Sequence, residues 1–561
     1  MGNKINRREF LSATTITGLG ILGGWPGWLL RTSAAQAASL ISAASALLPQ
    51  SPISDITGAF VSGVFNGDDA THPHDALWDK EYYIRSKGGR PTTYTSTQVA
   101  IVGGGMSGLL SAYRLRDLSP YVIEQAQRFG GNSKGERFQG EPFSLGAAYV
   151  TIPEKGGEIE GLFKELGLAQ SFRHESTEES RVCFKGLGLR NLWNGGTDGA
   201  ARGSALEVEK ELARIAREAF PNIPWTSDSP LSQEEFRKLD QESAQQWLHR
   251  KFPNLHPHVE EYFQLYCWSS FAGSLEELSA AQFLNFVAEE TEGVIALPGG
   301  NSAIGEALLR VLANKLPPEN LQTGSLVLEV KNVGSNVEVL FEDNTGKLRL
   351  LRAQAAIVAA PKYVARYIVP EISHERDSLW KGLPYRAYVV ANVLLKQPVT
   401  SSAYDVFSLE GKIPPAPSFE TPAKDRPWAD FVFAGWANHS EKASVLTFYK
   451  PFPFEGARNL INDDVGHKRL QGELQAALPA TLKDLGIPAD AVAGIRLTRW
   501  GHALPLARMG LASDASFALI GAPQGKIAFA NQDNCMNPAF ETCFAAAVDA
   551  TLFVRKQLGS V

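Results

Sequence analysis

Three glycines and one acidic residue are spaced in a way that suits phosphate and ribose binding. Gly103, Gly105 and Gly108 follow an apolar run, and Glu124 closes a second apolar run about 20 residues later. Glycines let the backbone turn sharply and approach a pyrophosphate, and a helix that begins there presents free N–H groups to the phosphates. A carboxylate at the position of Glu124 can accept both ribose hydroxyls. These residues predict dinucleotide binding.

The elements around these residues are predicted to be a strand, a turn, a helix and a second strand. Residues 99–102 are apolar, a helical pattern follows the glycines as far as Pro120, and residues 121–123 are apolar again. This order is typical of the dinucleotide-binding βαβ unit. Met106 and Ser107 begin the predicted helix, so their N–H groups are expected at the phosphates. The alternative is a glycine-rich strand-to-helix turn without a ligand.

Composition limits the class of protein. A chain of 561 residues exceeds one ordinary domain, and 44% hydrophobic with 20% charged residues is typical of a globular protein with a large core. The net charge of −6, without a block of Lys and Arg, argues against a nucleic-acid partner. The four cysteines include no CxxC pair, and no metal-ligand pattern is evident, so we expect neither a disulfide framework nor a metal site.

Residues 1–37 predict an export signal. Arg7 and Arg8 are followed by Phe-Leu, residues 16–30 are glycine-rich and apolar, and residues 35–37 form a small-x-small cleavage site. This segment resembles a twin-arginine signal, which predicts the twin-arginine translocase as a partner and a periplasmic or secreted mature protein. A membrane anchor is the alternative, but the apolar stretch is short and interrupted by glycine and proline.

The predicted export route favours FAD over NAD as the dinucleotide. The twin-arginine route carries proteins that have already folded, so a cofactor can be bound in the cytoplasm before export. A freely exchanging NAD would be scarce outside the inner membrane. A tightly held FAD is therefore expected.

The sequence after the second predicted strand resembles the flavin-containing amine oxidase superfamily. Gly130 and Gly131 form the Gly-Gly doublet that follows the first βαβ unit in that superfamily, with Arg128 two residues before it and Asn132 directly after it. The resemblance implies that the doublet closes on the FAD pyrophosphate, with Arg128 or Lys134 nearby. Two glycines also suit an anion physically, because their N–H groups are not obstructed by side chains.

Two later stretches extend the resemblance. Residues 297–304 contain a Pro-Gly-Gly helix start, residues 326–330 form a predicted strand, and residues 356–361 form an apolar strand that ends in Ala-Ala-Pro. The superfamily has these elements in the same order. The resemblance implies that Val327 contacts the adenine through its backbone.

The C-terminal part supplies a third piece of the resemblance. Residues 499–505 contain an Arg-Trp stretch, and residues 527–533 resemble the Phe-Ala-Asn-x-Asp variant of spermidine-dehydrogenase-like members. Asp533 is implied to contact the FAD ribityl or pyrophosphate side, with a buried helix-capping aspartate as the alternative. Trp500 and His502 are the catalytic candidates, since an aromatic face can bind a cation and a neutral imidazole can accept a proton. A packed aromatic ring and a core histidine are the alternatives.

The sequence thus predicts an α/β fold in which a Rossmann-like FAD-binding domain, built from three discontinuous segments, is interleaved with an α+β substrate domain. The predicted segments are 38–96 for an N-terminal extension, 97–154, 295–365 and 491–561 for the FAD-binding domain, and 155–294 and 366–490 for the substrate domain. Within the last of these, residues 399–430 are expected to form a loop.

The expected activity is oxidation of an amine by hydride transfer to FAD, giving an imine that water hydrolyses. Electrons would then pass to O2 or to a periplasmic acceptor. Ordinary amine oxidases carry a lysine near the position of Val390 in the strand at 385–396, whereas this strand has no lysine before Lys396 at its end. Two alternatives therefore stay open. One is a C–C desaturase of the phytoene-desaturase or protoporphyrinogen-oxidase type, and the other is a flavoprotein partner without catalysis.

Overall fold

A computed structural model describes residues 50–56, 64–69, 71–422 and 425–559. The predicted export signal lies outside the described residues. No helix within those ranges combines the length and the apolar character that a membrane crossing requires. The described helices, numbered in chain order, are α1 (His72–Trp78), α2 (Lys80–Ser86), α3 (Met106–Arg114), α4 (Glu158–Glu165), α5 (Ala201–Glu218), α6 (Gln233–Gln241), α7 (Ala244–Lys251), α8 (Pro257–Phe271), α9 (Ala280–Val287), α10 (Ser302–Lys315), α11 (Lys362–Ile368), α12 (His374–Gly382), α13 (Ala434–Ala437), α14 (Asp464–Asp484) and α15 (Phe540–Leu558).

The strands fall into two large sheets and two three-stranded sheets. In chain order they are β1 (Ile53–Asp55), β2 (Asn66–Gly67), β3 (Thr95–Val102), β4 (Tyr121–Ile123), β5 (Gly135–Phe138), β6 (Glu141–Ser144), β7 (Tyr149–Thr151), β8 (Arg173–Glu175), β9 (Arg181–Phe184), β10 (Gly188–Arg190), β11 (Val294–Ala296), β12 (Leu321–Gln322), β13 (Leu326–Val333), β14 (Asn336–Glu342), β15 (Leu348–Val358), β16 (Tyr385–Thr400), β17 (Asp405–Leu409), β18 (Asp430–Phe433), β19 (Lys442–Phe452), β20 (Val492–Pro505) and β21 (Ile527–Phe529).

The first large sheet collects strands from three distant parts of the chain. Its order is β12-β4-β3-β15-β14-β13, with β21 also paired to β15. Strands β12, β4, β3, β15 and β21 run parallel, and β14 and β13 form an antiparallel arm. The end of β3 is buried on both faces, as a parallel strand covered by helices requires. The predicted α/β fold is confirmed, and this sheet takes its strands from three separate segments of the chain.

Close packing of helix α3 against this sheet depends on Gly108. A Cβ atom at this position would lie 1.9 Å from the carbonyl oxygen of Gly103, so only glycine fits there. The tight approach places the N-terminus of α3 directly after the end of β3. Gly108 thus allows the packing that positions the glycine turn at 103–105, but it is not itself expected to contact a ligand.

The second large sheet has eight strands in the order β10-β9-β17-β18-β19-β16-β20-β2. Its centre is β16, which pairs along most of its length with β19 and β20. Helices α8 and α9 cover part of it with a layer rich in aromatic side chains. This sheet forms the floor of the predicted substrate domain.

Two sequence-based boundaries differ from the structure. Residues 399–430 were expected to form a loop, but they contain β17, whose apolar residues pair with β18 and β9. The last FAD-binding segment was expected to begin at 491, but residues 492–505 form β20 of the eight-stranded sheet. The reason is that β20 pairs with β16 from Pro505 back to Val492, so the chain enters the first sheet only at β21.

The N-terminal segment is built into the fold rather than only lying over it. Strand β1 pairs with β5, and β2 pairs with β20. Glu342 at the end of β14 accepts hydrogen bonds from Tyr83 Oη at 2.6 Å and Lys87 Nζ at 2.5 Å, and bonds to His72 Nε2 at 2.9 Å. These contacts hold α1 and α2 on the antiparallel arm.

Candidate active site

A cavity of about 750 Å³ lies at the carboxyl ends of the parallel strands. Ligands bind at this edge in open α/β sheets. Twelve of the residues predicted to bind the cofactor or act in catalysis line it, namely Gly103, Gly105, Met106, Ser107, Glu124, Arg128, Gly130, Gly131, Asn132, Val327, Trp500 and His502. The fold therefore brings together residues that lie up to about 400 positions apart in the chain.

Two glycine backbones face each other at the start of α3. A Cβ atom on Gly131 would lie 3.0 Å from Cα of Gly105, and Gly131 has φ of +56°. Gly105 is the N-cap of α3 and supplies no capping side chain, so N–H groups of the first turn are open to a ligand. A narrow cradle of backbone N–H groups at a helix N-terminus fits a pyrophosphate.

Glu124 is held rigidly where β4 ends. Its Oε2 accepts from the N–H of Gly104 at 2.7 Å, and its Oε1 accepts from the N–H of Ala126 at 2.8 Å. Each carboxylate oxygen can still accept one more hydrogen bond, and a ribose hydroxyl could donate it. Val327 lies on the same cavity at an irregular point in the pairing of β13, and its contact with adenine stays a prediction.

Arg128 fastens the N-terminal segment to the binding loop. Its Nη1 donates to the carbonyl oxygens of Pro52 and Gly135 and to Ser54 Oγ, at 3.2, 3.1 and 2.8 Å. Burial lowers the pKa of its guanidinium. The side chain lines the cavity, and its predicted role beside the pyrophosphate stays a prediction.

The predicted contact of Asp533 with the cofactor stays a prediction, because the structure places its side chain behind the cavity wall. Asp533 does not line the cavity, and its side chain is fully buried. Lys362 Nζ lies 2.7 Å from its Oδ1, and the Lys362 N–H and the Tyr385 hydroxyl donate to its Oδ2 at 2.7 and 2.5 Å. Because these donors already satisfy the carboxylate, it acts as a buried structural acid. The neighbouring Asn531 and Gln532 line the cavity instead.

Trp500 and His502 project from β20 and have different surroundings. Trp500 Nε1 donates to the carbonyl oxygen of Leu145 at 2.8 Å, which fixes the indole ring in the cavity wall. His502 stacks on Tyr363 with ring centroids 4.0 Å apart. Burial lowers the pKa of His502 to about 4, so the imidazole is neutral at physiological pH.

A second, inner cavity of about 190 Å³ adjoins the first. Residues that line both cavities form the wall between them. They are Met106, Asn132, Ser133, Trp500, Ala503, Gln532 and Cys543. A ligand in the large cavity and one in the inner cavity would meet at this wall. His502 lines only the large cavity, so the structure separates the two predicted catalytic candidates.

The inner cavity contains carboxyl groups that the sequence argument missed. Asp405 begins β17, Asp430 begins β18, and Glu290 follows α9. One feature of the sequence could have identified such a residue, namely an aspartate inside an apolar run, as in Tyr404-Asp405-Val406. A charged residue at such a position is rare unless it has a function or a partner.

Burial changes the charge state of these carboxyl groups. It raises the pKa of Glu290 to about 8 and that of Asp405 well above its usual range, and the neighbouring carboxylate of Asp430 raises the pKa of Asp405 further. Val390, at the position where amine oxidases carry a lysine, lines the cavity as a valine. Among the described residues lining this cavity there is no Lys, Arg or His.

Comparison with known proteins decides the family. Residues 106–491 match the family model of flavin containing amine oxidoreductases. The chain belongs to this family. FAD is therefore its cofactor, and the protein is an FAD-dependent oxidoreductase, as the sequence predicted. The glycine cradle and Glu124 are suited to hold the pyrophosphate and the ribose.

The chain is similar to curated proteins with different names and activities. Oxidoreductase PigB of Serratia sp. is 23% identical over 514 residues, covering 82% of this chain and 75% of that protein. Coproporphyrinogen III oxidase of Mycobacterium tuberculosis is 40% identical over 140 residues, covering only 23% of this chain and 30% of that protein. A probable flavin-containing monoamine oxidase A of Dictyostelium discoideum is 23% identical over 320 residues, covering 54% and 66%.

Solved structures of amine oxidases share the fold. Wild-type putrescine oxidase bound to putrescine has a TM-score of 0.61 at 17% identity, covering 83% of this chain and all of that chain. Cyclohexylamine oxidase from Brevibacterium oxydans has a TM-score of 0.58 at 17% identity with the same coverage. At these identities the likeness concerns the fold alone.

Proposed function

We propose that this flavoenzyme oxidises an amine substrate that binds in the inner cavity. The observation that carries the proposal is the chemistry of that cavity, which combines aromatic side chains and buried carboxyl groups with no basic side chain among its described lining residues. The aromatic faces favour a cation over an anion, and the carboxyl groups add to this preference when a bound cation displaces their protons. The amine oxidase fold agrees with an amine as that cation.

Bound FAD would supply the hydride acceptor for the carbon next to the substrate nitrogen, after the ammonium at the FAD wall has released its proton to solvent. Two electrons leave the substrate with that hydride, and water hydrolyses the resulting imine. The chain's own contribution is positioning. Trp500 in the shared wall offers an aromatic face to the amine, and the rings of Tyr388 and Tyr449 line the same cavity.

The electron acceptor and the location belong to the same proposal. We propose O2 or a periplasmic carrier as the acceptor, and export by the twin-arginine translocase to the periplasm or the medium. Residues 1–37, with their paired arginines, support export. The sequence from Phe529 to Asp533 supports a place among spermidine-dehydrogenase-like members.

A C–C desaturase is the second candidate. The coproporphyrinogen oxidase relatives and the absence of a lysine at Val390 favour it. The carboxyl groups of the inner cavity disfavour it, because an anionic tetrapyrrole would be repelled there. The inner cavity beside the FAD wall also argues against a partner without catalysis, which would need no such space.

Purified enzyme tests these proposals directly. Anaerobic titration with a panel of amines should bleach the flavin absorbance, and matched alcohols should not. Readmission of air then separates an oxidase, which regains its colour at once, from a dehydrogenase, which needs an added acceptor. A holoenzyme that no amine bleaches, but that a reduced tetrapyrrole does, would replace amine oxidation by desaturation.

A further inference from the structure

The two ends of the inner cavity differ chemically. At one end, Met106 and Trp500 belong to the wall shared with the FAD cavity. At the other end, Tyr149, Glu290 and Asp405 also line an outer cavity of about 100 Å³. A substrate in the inner cavity would therefore be oxidised at one end and touch Glu290 and Asp405 at the other. Glu541 also lines the cavity, and its Oε1 already accepts hydrogen bonds from the N–H and the hydroxyl of Thr151.

The sheet below the cavity fixes the separation of these ends. Asp405, Asp430, Tyr449, Tyr388 and Trp500 line the cavity from five neighbouring strands, in the order β17, β18, β19, β16 and β20. Because neighbouring strands lie about 4.8 Å apart, the backbone of Asp430 is about 14 Å, and that of Asp405 about 19 Å, from the backbone of Trp500. These carboxyl groups therefore lie three and four strands away from Trp500 in the wall shared with the FAD cavity.

The pair formed by Asp405 and Asp430 lacks a partner of opposite charge. The two side chains lie within hydrogen-bonding reach of each other, and Asp430 is only 2% exposed. Among the described residues, the Oδ1 atom of each is buried without a hydrogen-bond partner, and the Ser269 hydroxyl is the neutral donor within reach of the Asp430 carboxyl. A buried carboxylate in this condition is unfavourable unless a proton or a cation compensates it.

The lining of the outer cavity also favours cations. Its lining includes Glu175 and Glu209 together with the rings of Tyr262, Tyr266 and Phe407. Of the described residues that line it, none is Lys, Arg or His. Aromatic faces and carboxyl groups along this path attract cations.

We propose that Asp405 and Asp430 form a second cation subsite, which binds a distal positive charge of the substrate. The inference rests on the proposed amine oxidation and names its substrate class, an amine with two positive charges. The nitrogen that is oxidised lies at the FAD wall, and the distal ammonium lies against the two carboxylates. The distance across the sheet then selects the substrate by the spacing of its charges.

Binding without turnover tests the subsite in the holoenzyme. The probes are α,ω-bis(trimethylammonium)alkanes of increasing spacer length and alkyltrimethylammonium ions of matching length. A quaternary nitrogen has no lone pair to assist loss of a hydride, so these ions report binding alone. Calorimetry should show that the dications bind about tenfold tighter or more, with an optimum at one spacer length. Equal affinity of monocations and dications at every length would overturn the inference.

Two substitutions test whether Asp405 and Asp430 cause the preference for dications. Asp405→Asn and Asp430→Asn should each remove most of the preference for dications and leave the affinity for monocations within about twofold. Glu441→Gln, an exposed residue outside both cavities, changes the net charge equally and should leave the preference intact. A preference that survives both aspartate substitutions also overturns the subsite. Because the spacer optimum is measured in the unaltered protein, the test does not depend on the folding of any variant.

The outcomes separate this inference from the proposed function. Dication binding without bleaching of the flavin by any diamine supports the subsite and contradicts amine oxidation. Bleaching by monoamines and diamines with the same KM supports amine oxidation and contradicts the subsite. If both hold, Asp430→Asn raises the KM for diamines and leaves kcat nearly unchanged.

Discussion

The ammonium of Lys362 lies 2.7 Å from Oδ1 of Asp533, and both side chains are fully buried. The pair joins the start of α11 to the turn before α15, and Asn534 Oδ1 accepts a further bond from Lys362 Nζ at 2.5 Å. Burial lowers the pKa of Lys362, while Asp533 opposes that shift. The pair therefore ties two FAD-domain segments together beneath the cofactor cavity.

Removing one member of this pair should destabilise the protein strongly. Lys362→Met leaves the carboxylate buried without its cation, and we expect a loss of about 3–5 kcal/mol in the free energy of unfolding. Denaturant unfolding of the holoenzyme measures it. The double variant Lys362→Met, Asp533→Leu should recover part of the loss. Since Asp533 does not line the cavity, the folded fraction of Asp533→Asn should still bind FAD. If the folded variant lacks FAD, that result would support the cofactor contact predicted from the sequence.

Gly105 and Gly108 should respond differently to substitution. Gly105→Asp adds a negative side chain at the cavity wall, where a Cβ atom itself finds ordinary contact distances, so the protein should fold but lose FAD. Gly108→Ala places a Cβ atom 1.9 Å from a carbonyl oxygen, so the fold itself should fail. The ratio of flavin absorbance to protein absorbance, together with circular dichroism, distinguishes the two. A Gly105→Asp protein that retains FAD would contradict the loop assignment.

His502 should make the fold sensitive to acid. Its pKa is about 4 in the folded protein and about 6.5 when unfolded, so the unfolded state gains a proton first as pH falls. Stability contributed by the neutral imidazole is present above about pH 6.5 and is lost as pH falls to about 4, by up to about 3 kcal/mol. In His502→Gln the melting temperature should depend less on pH in that window. His374→Gln, which replaces an exposed histidine, is the control.

Trp500 should be sensitive to the loss of its hydrogen bond. Trp500→Phe keeps an aromatic ring in the shared wall but leaves the carbonyl oxygen of Leu145 without its donor. We expect a loss of about 1–3 kcal/mol in stability. A shifted flavin absorbance band should accompany it, because the wall beside the flavin changes. Unchanged stability and an unchanged spectrum would mean that the indole does not position this wall.

Cation binding should strengthen as pH rises through neutrality. Burial raises the pKa of Asp430 to about 7 and that of Glu290 to about 8, and the phenols of Tyr388 and Tyr449 beside them stay protonated there. Deprotonation creates the negative charge that a cation needs, so the Kd of a dication should fall between about pH 6 and about pH 8. Calorimetry over this range measures it, and a Kd independent of pH contradicts it.

The same carboxyl groups should weaken the ligand-free protein at high pH. A folded pKa above the unfolded value means that their contribution is present below about pH 4 and is lost as pH rises through about 8. A bound dication should reverse this loss. The rise in melting temperature caused by a saturating dication should therefore be larger at about pH 8 than at about pH 6. An equal rise at both values would show that these groups do not change charge in the window.

Much of the cofactor site could be read from the sequence. Glycine types, their spacing and the acid after the second strand depend on local backbone geometry, which neighbouring residues dictate. The doublet at Gly130 and Gly131 is local in the same way. That is why the predicted residues of the binding loop line the cavity, whereas Asp533, whose environment comes from α11 and β16, does not.

The sequence by itself determined the FAD-type βαβ unit, the family resemblance and the division of the cofactor domain into three segments. Only the tertiary structure decided which acids meet in the inner cavity. Asp405 and Asp430 come from strands separated by a long loop, and Glu290 comes from a helix end more than 100 residues earlier in the chain. Their shared surroundings arise from sheet order and long-range burial, and no local periodicity encodes either. The order of five strands thus sets the distance between the flavin wall and the carboxylates.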